Sequence, residues 1–327
     1  MTQSREAASI PSFGYLFLIV ASTVIATLGL ILNSAAVIIG AMIVAPLMNP
    51  ILSISFGIVT GNTTLYRRSI LTALLGSACC IVIATFIAWL APIQVVGTET
   101  LSRTSPNLID LGVAIAAGAA GAFSLTRASI ASSIAGVAIA VALVPPLCVV
   151  GLGLGLGESL TAAIGHLTLT NLEVARGAFL LFLANLLGIT VSACVVFLAQ
   201  AYGSLQRSFQ GLLIWALLVL LLMGPLTGSL KEFALNNRLE HELYRLTRGD
   251  DPLARIVILH TSTRLEGRTA YVEIFASVPE KVLDQINLKS AEDKLFAALR
   301  PLGANAIDLT FRLAPVRVEE FKSISPP

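Results

Sequence analysis

The chain has 327 residues, 56% of them hydrophobic and only 12% charged, where ordinary soluble domains carry about 25% charge. That excludes a wholly soluble protein and predicts a polytopic membrane protein with a soluble appendage. The formal net charge of +2, with no basic face and no interleaving of basic and aromatic residues, argues against nucleic acid as a partner.

Charge is unevenly distributed along the chain. Residues 231–327 hold 14 basic and 14 acidic side chains, which leaves 7 and 5 for the first 230. No charged residue occurs between Glu6 and Arg67, room enough for two spans of ~20 residues each. After an N-terminal tail (1–11), uncharged runs bounded by charges or by Gly, Pro and Asn predict seven membrane helices. They cover 12–32, 35–60, 70–91, 108–126, 128–156, 177–200 and 209–230. The first run has no Ala-x-Ala exit, so it reads as a retained span rather than a cleaved signal peptide. A tight turn at Asn33–Ser34 joins the first two spans.

The second and fifth spans carry a proline-interrupted pattern twice. One copy reads Gly40-AMIVAPLMN-Pro50-ILSISF-Gly57-IVT-Gly61, the other Gly136-VAIAVALVP-Pro146-LCVVGL-Gly153-LGL-Gly157, and all four anchor positions differ by 96. Leu71-TALL-Gly76 likewise echoes Leu183-ANLL-Gly188. The offset there is 112, so the second unit has an insertion of about 16 residues, ESLTAAIGHLTLTNLE, expected as a short surface helix. Spans 1–3 (12–91) and 4–6 (108–200) then form a 3+3 repeat. Each unit has an odd number of crossings, so the second is inverted relative to the first; 209–230 is an extra helix. Inverted repeats with broken helices at matched positions are a transporter design.

With seven spans, one side receives Arg5, Glu6, Arg67, Arg68, Arg127 and Arg207; the other receives Glu99, Arg103, Asp110, Glu158, Glu173 and Arg176. Basic residues accumulate on the cytoplasmic side. The N-terminus is therefore expected in the cytoplasm of a plasma (inner) membrane and the C-terminal domain outside it, in the periplasm of a Gram-negative-like host. An error of one span would reverse the side of that domain.

Residues 231–327 read as a small α+β domain. An amphipathic helix covers Lys231–Asp250, with Leu235, Leu239, Leu243 and Leu246 near helical spacing. Strands are expected at Ala254–His260 and Thr269–Val278, a helix from the capping-box pattern at Ser290 to Arg300, and a strand with alternating Ile307, Leu309, Phe311 and Leu313. The order αββαβ resembles the small BON-type domains of bacterial envelopes.

Two readings of the prolines stay open. Asn49, Pro50, Pro145 and Pro146 either shape unwound turns that face a ligand or mark plain kinks. Asn185, near mid-span, is either interhelical glue or a site ligand, because an unsatisfied amide there is costly. Asn33 either caps its own turn or joins the site. Gly57, Gly61, Gly153 and Gly157 fit close helix packing. The glycine run 151–157 lacks the lysine and the strand context of a nucleotide loop. Cys79, Cys80, Cys148 and Cys194 lie in apolar runs and read as small packing residues, with no Cys/His metal spacing.

No ionisable side chain is deep in any span, which disfavours a proton relay. No hydrolase motif occurs either. The expected function is transport or conduction of a small solute or ion, with no catalysis and no cofactor. The alternative is a non-transporting scaffold or envelope sensor whose C-terminal domain binds a partner or lipid. Membrane lipids and further copies of the chain are the expected partners.

The stretch Leu32-NSAAVIIGAMIVAPLMNPI-Leu52, together with Val144-PPL-Cys148 and Phe182-LANLLG-Ile189, resembles the prokaryotic uncharacterised hydrophobic domain family, domain of unknown function 389. The resemblance covers roughly residues 29–226 and implies a multi-pass membrane protein without implying a chemistry.

Overall fold

The computed structural model describes residues 9–91, 95–127, 132–155, 171–246, 257–266, 269–279 and 306–316, with Glu6 and short pieces at 160–162, 168–169 and 295–296. The chain divides into two compact units, Met1–Thr227 and Gly228–Pro327.

In the first unit, Ser12 caps helix α1 (Phe13–Ile31), its Oγ accepting from the Tyr15 amide at 3.1 Å. The helix closes in a Schellman motif. The Ser34 amide donates to Gly29 O and the Asn33 amide to Leu30 O, with Asn33 left-handed at φ 51°. Helices α2 (Ala35–Val44) and α3 (Met48–Thr60) follow, and α3 ends the same way on left-handed Gly61. Asn62 caps α4 (Thr63–Leu90), which begins well before the predicted residue 70 and takes Arg67 and Arg68 into its first turns. The charges mark where the apolar run starts, not where the helix does.

Strand β1 (Val95–Val96) and the one-turn helix α5 (Thr98–Leu101) lead to α6 (Leu108–Thr126). Asn107 and Asp110 form a capping box there, so Asp110 has a helix-starting role beyond marking an interface. Helix α7 (Ser132–Gly155) precedes strands β2 (Leu160–Ala162) and β3 (Thr168–Leu169), then α8 (Asn171–Ala199) and α9 (Leu205–Leu246). The insertion expected as a surface helix is instead a strand pair: β2 is antiparallel to β3 and parallel to β1. Its Thr- and Leu-containing ends suit a ladder, and β1 supplies the missing partner.

Among the described residues, five helices are long and apolar enough to cross a membrane: α1, α4, α6, α8 and Ser208–Thr227 of α9. The bent pair α2–α3 makes six. Helix α3 is the hub, buried at every position from Pro50 to Val59. The membrane-length part of α9 is the opposite case and exposes Phe209, Leu213, Leu217 and Leu221, as a lipid-facing helix does. The separate helices expected at 209–230 and from Lys231 are one continuous helix through Pro225. The onset of charge at Lys231 ends the apolar stretch without ending the helix.

In the second unit, Leu235, Leu239 and Leu243 of α9 recur every fourth residue and pack with Val272, Ile274 and Leu295. Strands β4 (Val257–Glu266), β5 (Thr269–Pro279) and β6 (Ala306–Val316) form a sheet in the order β4-β5-β6. The β4–β5 pair is antiparallel with an irregularity between Ile258 and His260; β5–β6 is parallel. Strand β4 extends to Glu266, past the predicted end at His260, because Thr261 to Leu265 continue the ladder opposite Ile274 to Ala270. The predicted helix Ser290–Arg300 and the first three residues of the predicted strand at Ala254 lie largely outside the described residues.

Candidate functional site

The break between α2 and α3 is a local consequence of Pro46. A proline disfavours helical backbone in the residue before it, and Ala45 is accordingly extended at φ −69° and ψ 124°. Leu47 returns to helical geometry, and α3 leaves at 54° to α2. Pro50, the proline shared by both copies of the repeat, is not the breaker. It is the third residue of α3, where a helix has no intrahelical use for the amide that proline lacks. The counterpart of Pro46 in the second copy is Ala142, and α7 runs without interruption through Pro145 and Pro146. Of the two readings left open there, an unwound turn or a kink, the unwound turn is not seen and the helix is continuous. Its segment from Leu143 to Val150 is buried throughout, so packing holds the helical path that two prolines weaken.

The candidate ligands do not converge. Asn49 is half-buried and Pro50 buried at the start of α3. Asn185 is buried, 5% exposed, on α8. Helices α3 and α8 run in the same direction, and the Ser55 hydroxyl donates to Thr190 O at 3.1 Å. Five residues upstream of that contact, Pro50 and Asn185 share a depth. Cys194, whose Sγ donates to Ser55 O at 3.6 Å, marks the α3 side of α8. Asn185 is nine residues earlier, half a turn round the helix. It shares a stripe with Gly188 and Ser192, which meet Leu111, Ala114 and Gly118 of α6.

The polar groups closest to the break escaped the sequence reading. Gly76 on α4 touches both the Tyr15 hydroxyl and Leu47 Cδ2, which sets the break against α1 and α4. Tyr15 donates to Thr72 O at 3.1 Å. One turn along α4, the Thr23 hydroxyl lies 3.1 Å from Cys80 Sγ, and Cys148 Sγ donates to Thr23 O at 3.9 Å. The cysteines thus join helices by weak hydrogen bonds as well as filling space. Among the described residues, the buried polar side chains are Ser, Thr and Asn, with no Asp, Glu, Lys, Arg or His. A small apolar space lined by Leu111, Ala184, Leu187, Val219, Leu222 and Leu226 is too tight for a water molecule.

Glycines set the helix separations. A Cβ on Gly57 would come within 3.0–3.2 Å of Tyr66 on α4, and one on Gly153 within 2.9–3.1 Å of Asn171 and Ala175 on α8. Gly61 serves the left-handed turn rather than a helix contact, and Gly157 lies outside the described residues. The close pair on α7 is Gly151 and Gly155, against Ile81, Ala84, Thr85 and Ala88 of α4. Their spacing of four was the available signal.

Asn33 caps a neighbour rather than its own turn. Its Oδ1 accepts from the Glu99 amide at 2.9 Å and the Thr98 hydroxyl at 3.2 Å. Asn33→Ala should therefore lose both the cap and the side chain best suited to φ 51°, about 2 kcal/mol together. Asn33→Gly should keep the turn and lose only the cap. Thermal unfolding in detergent should rank wild type above Asn33→Gly above Asn33→Ala.

A bundle of apolar helices around a broken helix, with a separate small sheet unit, defines a membrane protein. Within that class, residues 42–191 match the family described as Domain of unknown function (DUF389), as the Asn-Ser…Pro string indicated. An uncharacterized protein of Methanocaldococcus jannaschii is 32% identical over 188 residues, which are 58% of this chain and 54% of that protein. The chain thus spans about half the length of this relative.

Proposed function

We propose that the protein is a seven-span transporter or channel of the inner membrane for a small neutral solute or monovalent ion, with its site at the α2–α3 break. One observation carries this reading. A helix is interrupted at buried Ala45 and Leu47, so the last carbonyls of α2 and first amides of α3 leave the regular ladder, the Asn49 amide turning to Pro46 O at 3.4 Å. Such interruptions form solute sites in transporters. The surrounding hydroxyls, thiols and amides suit an uncharged solute or a weakly bound ion rather than a proton relay.

The inverted repeat is supported by paired contacts. Gly57 meets the start of α4 as Gly153 meets the start of α8. Thr23 meets Cys80 much as Gly118 meets Ser192, and Cys80 and Ser192 are related by the offset of 112. The crossing count has similar support. The Asn33 turn, α5 and the β1–β3 strands meet at one end. At the other, Gly203 and Ser208 reach Val59. With the basic flanks, this favours a cytoplasmic N-terminus. Lipids and further copies of the chain are the proposed partners, and no catalytic role is assigned.

Purified protein in proteoliposomes should move at least one of a panel of monovalent ions and small neutral solutes faster than empty vesicles do. Pro46→Ala, which permits α2 and α3 to join, should remove most of that flux while leaving the melting temperature nearly unchanged. A panel on which nothing moves would favour the second reading, a scaffold or sensor. Its specific support is the tight filling at the break: Leu47, Ile51 and Leu52 are all within 1% of full burial.

A further inference from the structure

We propose that the second unit pairs with a second copy of the chain along β6, joining two three-stranded sheets into one of six strands. Among the described residues β6 has β5 on one side and no strand on the other. It is 11 residues long, and a long unpaired edge is a template that proteins normally blunt or cover.

The sequence of this edge is self-complementary about Thr310. Two β6 strands laid antiparallel across a two-fold axis at Thr310 pair Asp308 with the partner's Arg312 on the outer face, and Arg312 with the partner's Asp308. Thr310 then faces itself, and Ala306 faces Ala314. On the inner face the same register pairs Leu309 with Phe311. Leu309 and Phe311 already pack against the cluster of Leu235, Leu239, Leu243, Val272, Ile274 and Leu295. Two such cores would therefore become continuous. Opposite charges and apolar pairs placed directly across strands are the stabilising unit of a sheet, and a two-fold contact demands this kind of self-matching.

Asp308, Thr310 and Arg312 are exposed. Arg312 reaches Glu273 at 3.4 Å and lies over the Phe275 ring at 5.3 Å, which extends its guanidinium without exhausting its donors. Pro315, which cannot donate to a ladder, falls beyond the last pair of this register.

The inference names an interface for the copies proposed above and stands whether or not the membrane unit transports anything. In full-length protein in nanodiscs or mild detergent, Thr310→Cys brings two thiols about 5 Å apart across the axis. Copper(II)–phenanthroline, the oxidant, should join them as one disulfide with loss of two protons and two electrons. Cys80, Cys148 and Cys194 are buried, so Cys79→Ser is the only background change needed. Dimer on a non-reducing gel should far exceed that of the parent, and Asp308→Cys alone should give little. Asp308→Arg should weaken dimerisation about tenfold by facing like charges, and Asp308→Arg with Arg312→Asp should restore it. A dimer that persists without cross-linking at Thr310 would overturn the interface while sparing the oligomer. A monomer whose β6 amides resist hydrogen exchange would overturn it too, the edge being covered by the chain itself.

Discussion

Gly118→Val is expected to lower the thermal midpoint of the purified protein by roughly 10 °C. A Cβ at Gly118 would lie 2.6 Å from both Cα and O of Ile189, and closer still to Ser192 Oγ. Two of those three atoms are backbone, so no rotamer change can make room and α6 must move off α8. Overpacking of this kind costs about 1–3 kcal/mol, more when backbone has to shift, and a few kcal/mol corresponds to about 10 °C in a domain of this size. Gly112, on the same helix with nothing within 4 Å of its added Cβ, is the control. Gly112→Ala should leave the midpoint unchanged or raise it slightly, since alanine is the better helix former. Equal melting of the two variants would disprove the close α6–α8 approach.

Phe197→Ala should be the most damaging of the single truncations. Phe197 is fully buried. Its ring meets Phe56 edge-on at 5.5 Å and 84°, and Tyr202 at 6.2 Å and 81°. It is also a structural end-stop: the Tyr202 amide donates to Phe197 O, and left-handed Ala201 closes α8. The two aromatic rings form the apolar contact that accompanies this type of helix end. Removing a buried phenylalanine costs about 3–5 kcal/mol. The exposed turn should also become sensitive to trypsin at Arg207. Phe197→Leu should recover much of the midpoint and the protease resistance. If alanine and leucine variants behave alike, the ring cluster contributes little.

The class of protein was legible because hydrophobic run length and charge are one-dimensional signals. The spans at 12–32 and 108–126 fall within a residue of α1 and α6. Glycines at fixed offsets were also readable, and Gly57 and Gly153 do face the next helix. What failed was the inference from a conspicuous residue to its consequence. Pro50 and Pro146 recur in register, yet Pro50 sits harmlessly in a first helical turn, Pro146 lies inside a helix that stays continuous, and the unrepeated Pro46 makes the break. Asn49 and Asn185 carry similar amides, but half a turn of α8 separates the Asn185 stripe from the side that meets α3. Thr23, Cys80 and Cys148 come from three distant stretches, and nothing local signals that they meet. The strand pair at 160–162 and 168–169 was hidden because its partner β1 is a two-residue strand in another loop.

The ties at the α5 end also fix an order of assembly. Asn33 waits for an amide 66 residues later, at Glu99, and Val95 waits as long again for Thr161. The α3–α4 turn, by contrast, closes on its own residues, Gly57 to Leu65. As the chain emerges, the α3–α4 turn can form at once, whereas the first hairpin stays unlatched until Glu99 has been made. The three-loop seam closes only when the chain has passed Leu169. The seam can therefore close before α8 has emerged far enough to give Ser55 its bond to Thr190 O and Phe56 its contact with Phe197.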